Sequence, residues 1–135
     1  MAMAWSETLS SGVDDIDTQH KELIQRVNRL LEIQTTTKFD REAVSKIIAY
    51  LTEYVVFHFN TEETLMDRHT YSSASAHKAQ HAQFVKVFLR LKDRLLMEGI
   101  TPSLSQETRE LVVDWLLNHI KFSDRALGMY LKQKK

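Results

Sequence analysis

The stretch "HFNTEETLMDRHTYSSASAHKAQH", His58 to His81, holds four of the six histidines in the chain. Two of its spacings repeat: Glu62 follows His58 by four residues, and His81 follows His77 by four. Residues four apart share one face of an α-helix, so each pair can aim two donor atoms at a common point. Outside the stretch, His20 and His119 stand on apolar stripes of their own, His119 four residues after Trp115. The chain has no cysteine, which removes thiolate zinc sites, iron–sulfur clusters, disulfides and cysteine nucleophiles together. Imidazoles and carboxylates remain, a nitrogen and oxygen donor set for metal.

A lone histidine at a core position is ordinarily just a satisfied core residue. His69 reads in that bland way: it fits no spacing and falls in the loop after the second helical stripe, in contact with water. Five together are different, because each buried imidazole left unsatisfied costs about 1–3 kcal/mol. Neutral imidazole is a common ligand for iron, copper and zinc, and coordination removes that cost. One ion rarely takes five histidines. Two ions that share carboxylates could use His20, His58, His77, His81 and His119 at once. Glu62 is one such carboxylate by its place on the stripe of His58, and Asp124 is the other candidate. Five residues on an ideal helix, however, turn Asp124 about 140° away from the face of His119. A π-type turn would bring the two together, so the helix is expected to be distorted between them.

The elements that must position these groups are helical. Val44, Ile47, Ile48, Leu51, Val55, His58, Glu62 and Leu65 follow steps of three and four. So do His20, Ile24, Val27 and Leu31, then His77, His81, Phe84, Phe88, Leu91 and Leu95, then Leu111, Trp115 and His119. Three glycines and one proline are too little punctuation for a many-stranded protein. Breaks fall at "QTTTKFD", "RHTYSSAS" and "EGITPSLS". The sequence therefore predicts helices at about 18–34, 40–66, 74–97 and 104–121, after an N-terminal arm (1–17) and before a short helical tail. Short connections favour antiparallel neighbours, hence an all-α, up-down-up-down four-helix bundle over 18–131 within one domain, 1–135. In that topology the start of the first helix, the end of the second, the start of the third and the end of the fourth share one end of the bundle. The histidines sit at those places.

Eighteen basic residues balance eighteen acidic ones, so net charge gives no reason to expect nucleic acid or an anionic membrane as partner. No stretch reaches the ~18 apolar residues of a membrane span, and "LVVDWLL" is broken by Asp114. The start "MAMAWSETLSSGVDD" lacks the basic and apolar segments of a secretory signal. A cytoplasmic protein without membrane insertion is the expectation. Asp17, three before His20, reads as an N-cap, and Met66 and Trp5 read as packing residues.

The segments "GVDDIDTQH", "HFNTEETLM", "HKAQH" and "WLLNHIKFSD", in that order, resemble the hemerythrin family, and more closely its bacterial single-domain branch, the bacteriohemerythrins. The resemblance implies a non-heme diiron centre with an oxo or hydroxo bridge that binds dioxygen reversibly for storage, delivery or sensing. It implies that His77, His81 and His119 hold one iron, His20 and His58 the other, and Glu62 and Asp124 bridge them. It also implies an oxygen pocket walled by Phe59, Trp115, Leu116 and Ile120, and a carrier rather than an enzyme. Ser72, after Tyr71, stands where bacterial members often have proline, and Leu127 where many have an aromatic. The alternatives are a diiron oxidase or peroxidase, and an iron or oxygen sensor acting through a partner. Ferritin-like oxidase sites use Glu-x-x-His, whereas this chain has His-x-x-x-Glu and His-x-x-x-His. A sensor usually carries an output domain, and none follows "LKQKK". Because ligand imidazoles must be neutral, acid is expected to release metal and loosen helix packing.

Overall fold

Four helical rods carry the chain, and their ends follow from local chemistry. The first, α1 (Asp14–Ile33), opens with Asp14, Asp15 and Asp17 in its first turn, where carboxylates meet the positive end of the helix dipole. Asp40 caps α2 (Arg41–Arg68), its side chain accepting from the Ala43 N–H. The third rod, α3 (Ala74–Glu98), stops at Gly99, which adopts φ 80°, in the region open to glycine. Thr101 caps the fourth rod by accepting from the Leu104 N–H, and Pro102 takes its first position. That rod runs as α4 (Pro102–Arg109), a π-helical stretch (Glu110–Trp115), α5 (Leu116–Asn118), a second π-helical stretch (His119–Asp124) and α6 (Arg125–Gln133). This computed structural model describes residues 3–34 and 40–133, and no strand occurs among them.

Two expectations shift. The first helix begins at Asp14, about a turn earlier than expected, so Val13 holds the N-cap position and Asp17 is not the cap. The fourth helix does not end near residue 121 with a separate tail: helical backbone continues through Gln133. Most of the break expected at "QTTTKFD" lies outside the described residues, as do residues 1, 2, 134 and 135.

Along the chain α1 packs on α2, α2 on α3 and α3 on α4. Two apolar clusters divide the interior. The larger holds Leu23, Val27, Leu51, Phe84, Leu95 and Leu104, among others; the smaller consists of Ile16, Met66, Leu127 and Leu131. On α1 His20 falls between Ile16 of the smaller cluster and Leu23 of the larger, and on the second and fourth rods the smaller cluster's Met66 and Leu127 lie beyond Glu62 and Asp124. Leu127 is fully buried in the smaller cluster, so the fourth rod closes over the layer without an aromatic there. Met66 is buried beside it, a packing residue as expected.

The N-terminal arm is tied down at both ends. The Met3 N–H donates to Asn28 Oδ1 at 2.7 Å, and Asn28 Nδ2 donates back to the Met3 carbonyl at 2.9 Å. Further along, Asp17 accepts from the hydroxyl of Ser10 and from both the N–H and the hydroxyl of Ser11, the latter two at 2.8 and 2.7 Å. The arm then lies against the fourth rod so closely that a Cβ on Gly128 would fall 2.0 Å from the Ser11 carbonyl oxygen. No helix among the described residues is long and apolar enough to cross a membrane.

Candidate metal centre

Four rods deliver seven polar side chains to the layer between the two clusters. His20 comes from α1, His58 and Glu62 from α2, His77 and His81 from α3, and His119 and Asp124 from the two ends of a π stretch. All seven are buried, with Glu62 and Asp124 at 0% exposure. The π stretch is what lets residues five apart face the same way, since its hydrogen bonds run to the fifth residue rather than the fourth. A second π stretch, Glu110–Trp115, was not expected from the sequence.

The seven groups divide into two sets. Glu62 Oε1 lies 3.1 Å from His81 Nε2 and 3.5 Å from His77 Nε2, and Asp124 Oδ1 lies 3.0 Å from His77 Nε2 and 3.1 Å from His119 Nε2. The other carboxylate oxygens face the other histidines. Glu62 Oε2 is 3.3 Å from His58 Nε2 and 3.8 Å from His20 Nε2, and Asp124 Oδ2 is 2.8 Å from His20 Nε2 and 4.0 Å from His58 Nε2. Within each set the candidate donor atoms lie no more than 4.8 Å apart. Each carboxylate thus offers one oxygen to each set, as a bridging ligand must.

Hydrogen bonds behind the rings decide which nitrogen points inward. The Nδ1 of His58 donates to Gln19 Oε1 at 2.8 Å, that of His81 to Glu63 Oε2 at 2.8 Å, and that of His119 to Gln80 Oε1 at 2.9 Å. Because those oxygens accept, each of these rings in its neutral form keeps a bare lone pair on Nε2, as a metal ligand requires. Yet His81 Nε2 and His119 Nε2 stand 3.1 Å apart. Two lone pairs at that distance repel unless a proton or a cation lies between them. Both oxygens of Glu62 and Nε2 of His58 are also buried without a hydrogen bond. A cation in each set answers all of these at once, and the residues fit a pair of metal ions.

Protons are the competing solution. Burial opposes charge on His58, but the carboxylates of Glu62 and Asp124 outweigh it and hold the ring at about 9. Burial likewise opposes charge on His77, and the hydrogen bond to Asp124 with the nearby Glu62 carboxylate again wins, at about 9. Glu62 is pushed up by burial and by the like charge of Asp124, yet His58 and His77 pull it down to about 2. Asp124 sits well below the ordinary carboxylate range despite its burial, through His119, His20, His58 and His77. The centre is built to hold positive charge, whether as ions or as protons.

The residues expected to wall a pocket differ in their surroundings. Phe59 is buried and stacks on the His81 ring, centroids 3.8 Å apart and nearly parallel. Leu116 and Ile120 are buried as well. Trp115 is half-buried; it stacks on the His119 ring at 4.7 Å and packs on Phe84 at 4.6 Å. His69 stays outside the layer, half-buried at the end of α2, where its carbonyl accepts from the Tyr130 hydroxyl. Asp17 is occupied by Ser10 and Ser11, and His20 Nδ1 has no hydrogen-bond partner among the described residues. The sequence reading did not find Gln19, Glu63 and Gln80. A signal was present: each is the polar neighbour of a candidate ligand, but each serves a candidate ligand on a different rod.

Comparison with known proteins agrees with the geometry. The model of the hemerythrin HHE cation binding domain matches residues 11–131. A bacteriohemerythrin of Stenotrophomonas maltophilia is 34% identical over 130 residues, covering 96% of this chain and 82% of that protein. One from Methylococcus capsulatus is 34% identical over 127 residues, covering 93% and 94%. Among solved structures, that of a wild-type hemerythrin is similar with a TM-score of 0.82 at 31% identity, covering 97% of this chain and 98% of that one. Since the matched segment runs from the end of the arm into the last rod and takes in every converging side chain, the chain belongs to the hemerythrin HHE cation binding domain family.

Proposed function

We propose that this protein is a diiron oxygen carrier: it holds two iron ions between its rods and binds dioxygen reversibly. One observation carries the reading. Two fully buried carboxylates each turn one oxygen to a set of three histidines and the other to a set of two. His77, His81 and His119 would hold one iron, His20 and His58 the other, with Glu62 and Asp124 shared. When bound, the iron pair supplies two electrons that dioxygen can borrow and return. The set with two histidines has one nitrogen fewer, so it is the half with room for an outside ligand.

What the chain's own residues add is exclusion. Phe59 stacks on the His81 ring, Leu116 and Ile120 are buried in the larger apolar cluster, and the smaller cluster lies at the other end of the rods. A dry site slows hydrolysis and loss of a reduced oxygen species. Turnover would need a group to carry protons or orient a substrate. Among the described residues, the buried titratable side chains are the seven proposed ligands, which would be committed to holding iron. Carriage therefore fits better than catalysis.

The test is a visible spectrum of anaerobically reduced, iron-loaded protein before and after air, with iron counted per chain. Two irons and a new band that vanishes when oxygen is removed are expected. One iron, no band, or peroxide consumed over many turnovers would overturn the reading.

A further inference from the structure

The three acceptors behind the ligand rings differ in charge. Gln19 and Gln80 offer amide oxygens to His58 and His119, whereas Glu63 offers a carboxylate oxygen to His81. That carboxylate is 29% exposed, in the wall of a groove of about 720 Å³ between α2 and α3, with Lys78 and Lys86 nearby. The Lys78 ammonium pairs with Asp67 at 2.6 Å rather than with Glu63. In the set with two histidines, His58 has a neutral acceptor and His20 Nδ1 has no partner among the described residues. A full negative charge behind a ring is therefore found on the side with three histidines.

A carboxylate that draws on the outer N–H of a ligand imidazole pushes electron density toward the inner nitrogen and makes it a stronger donor. A stronger donor favours the more highly charged state of the cation it holds. Taking the diiron reading as given, the geometry points to Glu63 as a positioning residue that sets the two iron sites apart in electron affinity, making the iron at His81 the easier one to oxidise. Gln19 and Gln80 orient their rings without adding that bias.

The experiment compares iron-loaded wild type, Glu63→Gln, Glu63→Ala and Asp67→Asn. Its readouts are iron per chain, midpoint potential by spectroelectrochemical titration, and the rate at which a chelator strips iron. Glu63→Gln keeps an acceptor oxygen for His81 but loses the charge, so two irons remain and the potential rises. Glu63→Ala loses both bond and charge: the potential rises and iron affinity falls, on the order of 10- to 100-fold. Asp67→Asn removes an equal charge that touches no ligand, and the potential stays at the wild-type value. A Glu63→Gln potential equal to wild type, or an Asp67→Asn shift of equal size, overturns the assignment. Failure of the diiron reading itself looks different, because wild type would then lack two irons or the oxygen-dependent band.

Discussion

His58, His81 and His119 donate outward from Nδ1, so in the neutral ring the lone pair lies on the inner nitrogen. Each residue's loss should then have its own signature in the metal count. Glu62 presents oxygens to both sets, and Glu62→Ala is expected to cost both irons, whereas His20→Ala costs chiefly the iron held with His58. Metal analysis beside far-ultraviolet circular dichroism separates this outcome from unfolding. Acid has two effects, and the residues say which comes first. Protons compete with iron for the imidazoles as pH falls. The resulting imidazolium rings pair with Glu62 and Asp124. Because His58 and His77 are raised to about 9, their contribution to the metal-free fold is complete below about 6.5 and is lost as pH rises through 9. Glu62 is lowered to about 2, so its contribution is complete above 4.5 and is lost as pH falls through 2. The expected result is iron loss near pH 5 with helices intact and melting only near pH 3, followed by metal analysis and circular dichroism on one titration. Iron retained at pH 4 would argue against five histidine ligands. Of this chemistry, the candidate ligands were legible because four-residue spacing pairs His58 with Glu62 and His77 with His81, and His20 and His119 stand on apolar stripes. Gln19, Glu63 and Gln80 were not, because each contact crosses between rods and no periodicity within a rod reports it.

At the scale of elements, the sequence told most where geometry left one answer. His119 and Asp124 stand five apart and both had to face inward, which required the π stretch found there. Nothing comparable marked Glu110–Trp115, where no pair of functional groups demands a shared face. The start of α1 was misplaced because Asp17 looked like a cap three residues before a ligand, while its actual partners, Ser10 and Ser11, lie in an arm with no periodicity of its own. Asp17 clamps that arm instead, and its carboxyl is held below the ordinary value against the effect of burial by those hydrogen bonds. Losing bonds to a charged acceptor costs about 2 kcal/mol, so Asp17→Ala should lower the urea midpoint with little change in iron content. Gly128→Ala attacks the same contact from the other side. A methyl group there meets the Ser11 carbonyl at 2.0 Å, and overpacking of this kind costs about 1–3 kcal/mol. Both variants should expose the arm to limited proteolysis. An arm as resistant as in wild type would show that the clamp does not matter.

Across the whole molecule, the polar layer cuts the interior into unequal parts. The larger cluster extends over most of the length of the rods, whereas Ile16, Met66, Leu127 and Leu131 make a small plug beyond the layer. Even with the half-buried Val13, Leu65, Tyr71, Ala74 and Tyr130 packed on it, this plug buries far less surface than the larger cluster and holds the rod ends more weakly. Cross-links through the ligand layer must do much of that work. Hydrogen exchange should show the asymmetry: removing iron should speed exchange at amides around 14–20, 62–77 and 124–133, and leave those around 44–51 and 88–95 protected. Uniform loss of protection would mean that the bundle melts as one unit. If the plug end does open alone, iron supply becomes a clock on the life of the chain. A starved cell would display frayed tips to its proteases while the far half of the same molecule stayed folded, and pool size would track metal income with no dedicated regulator.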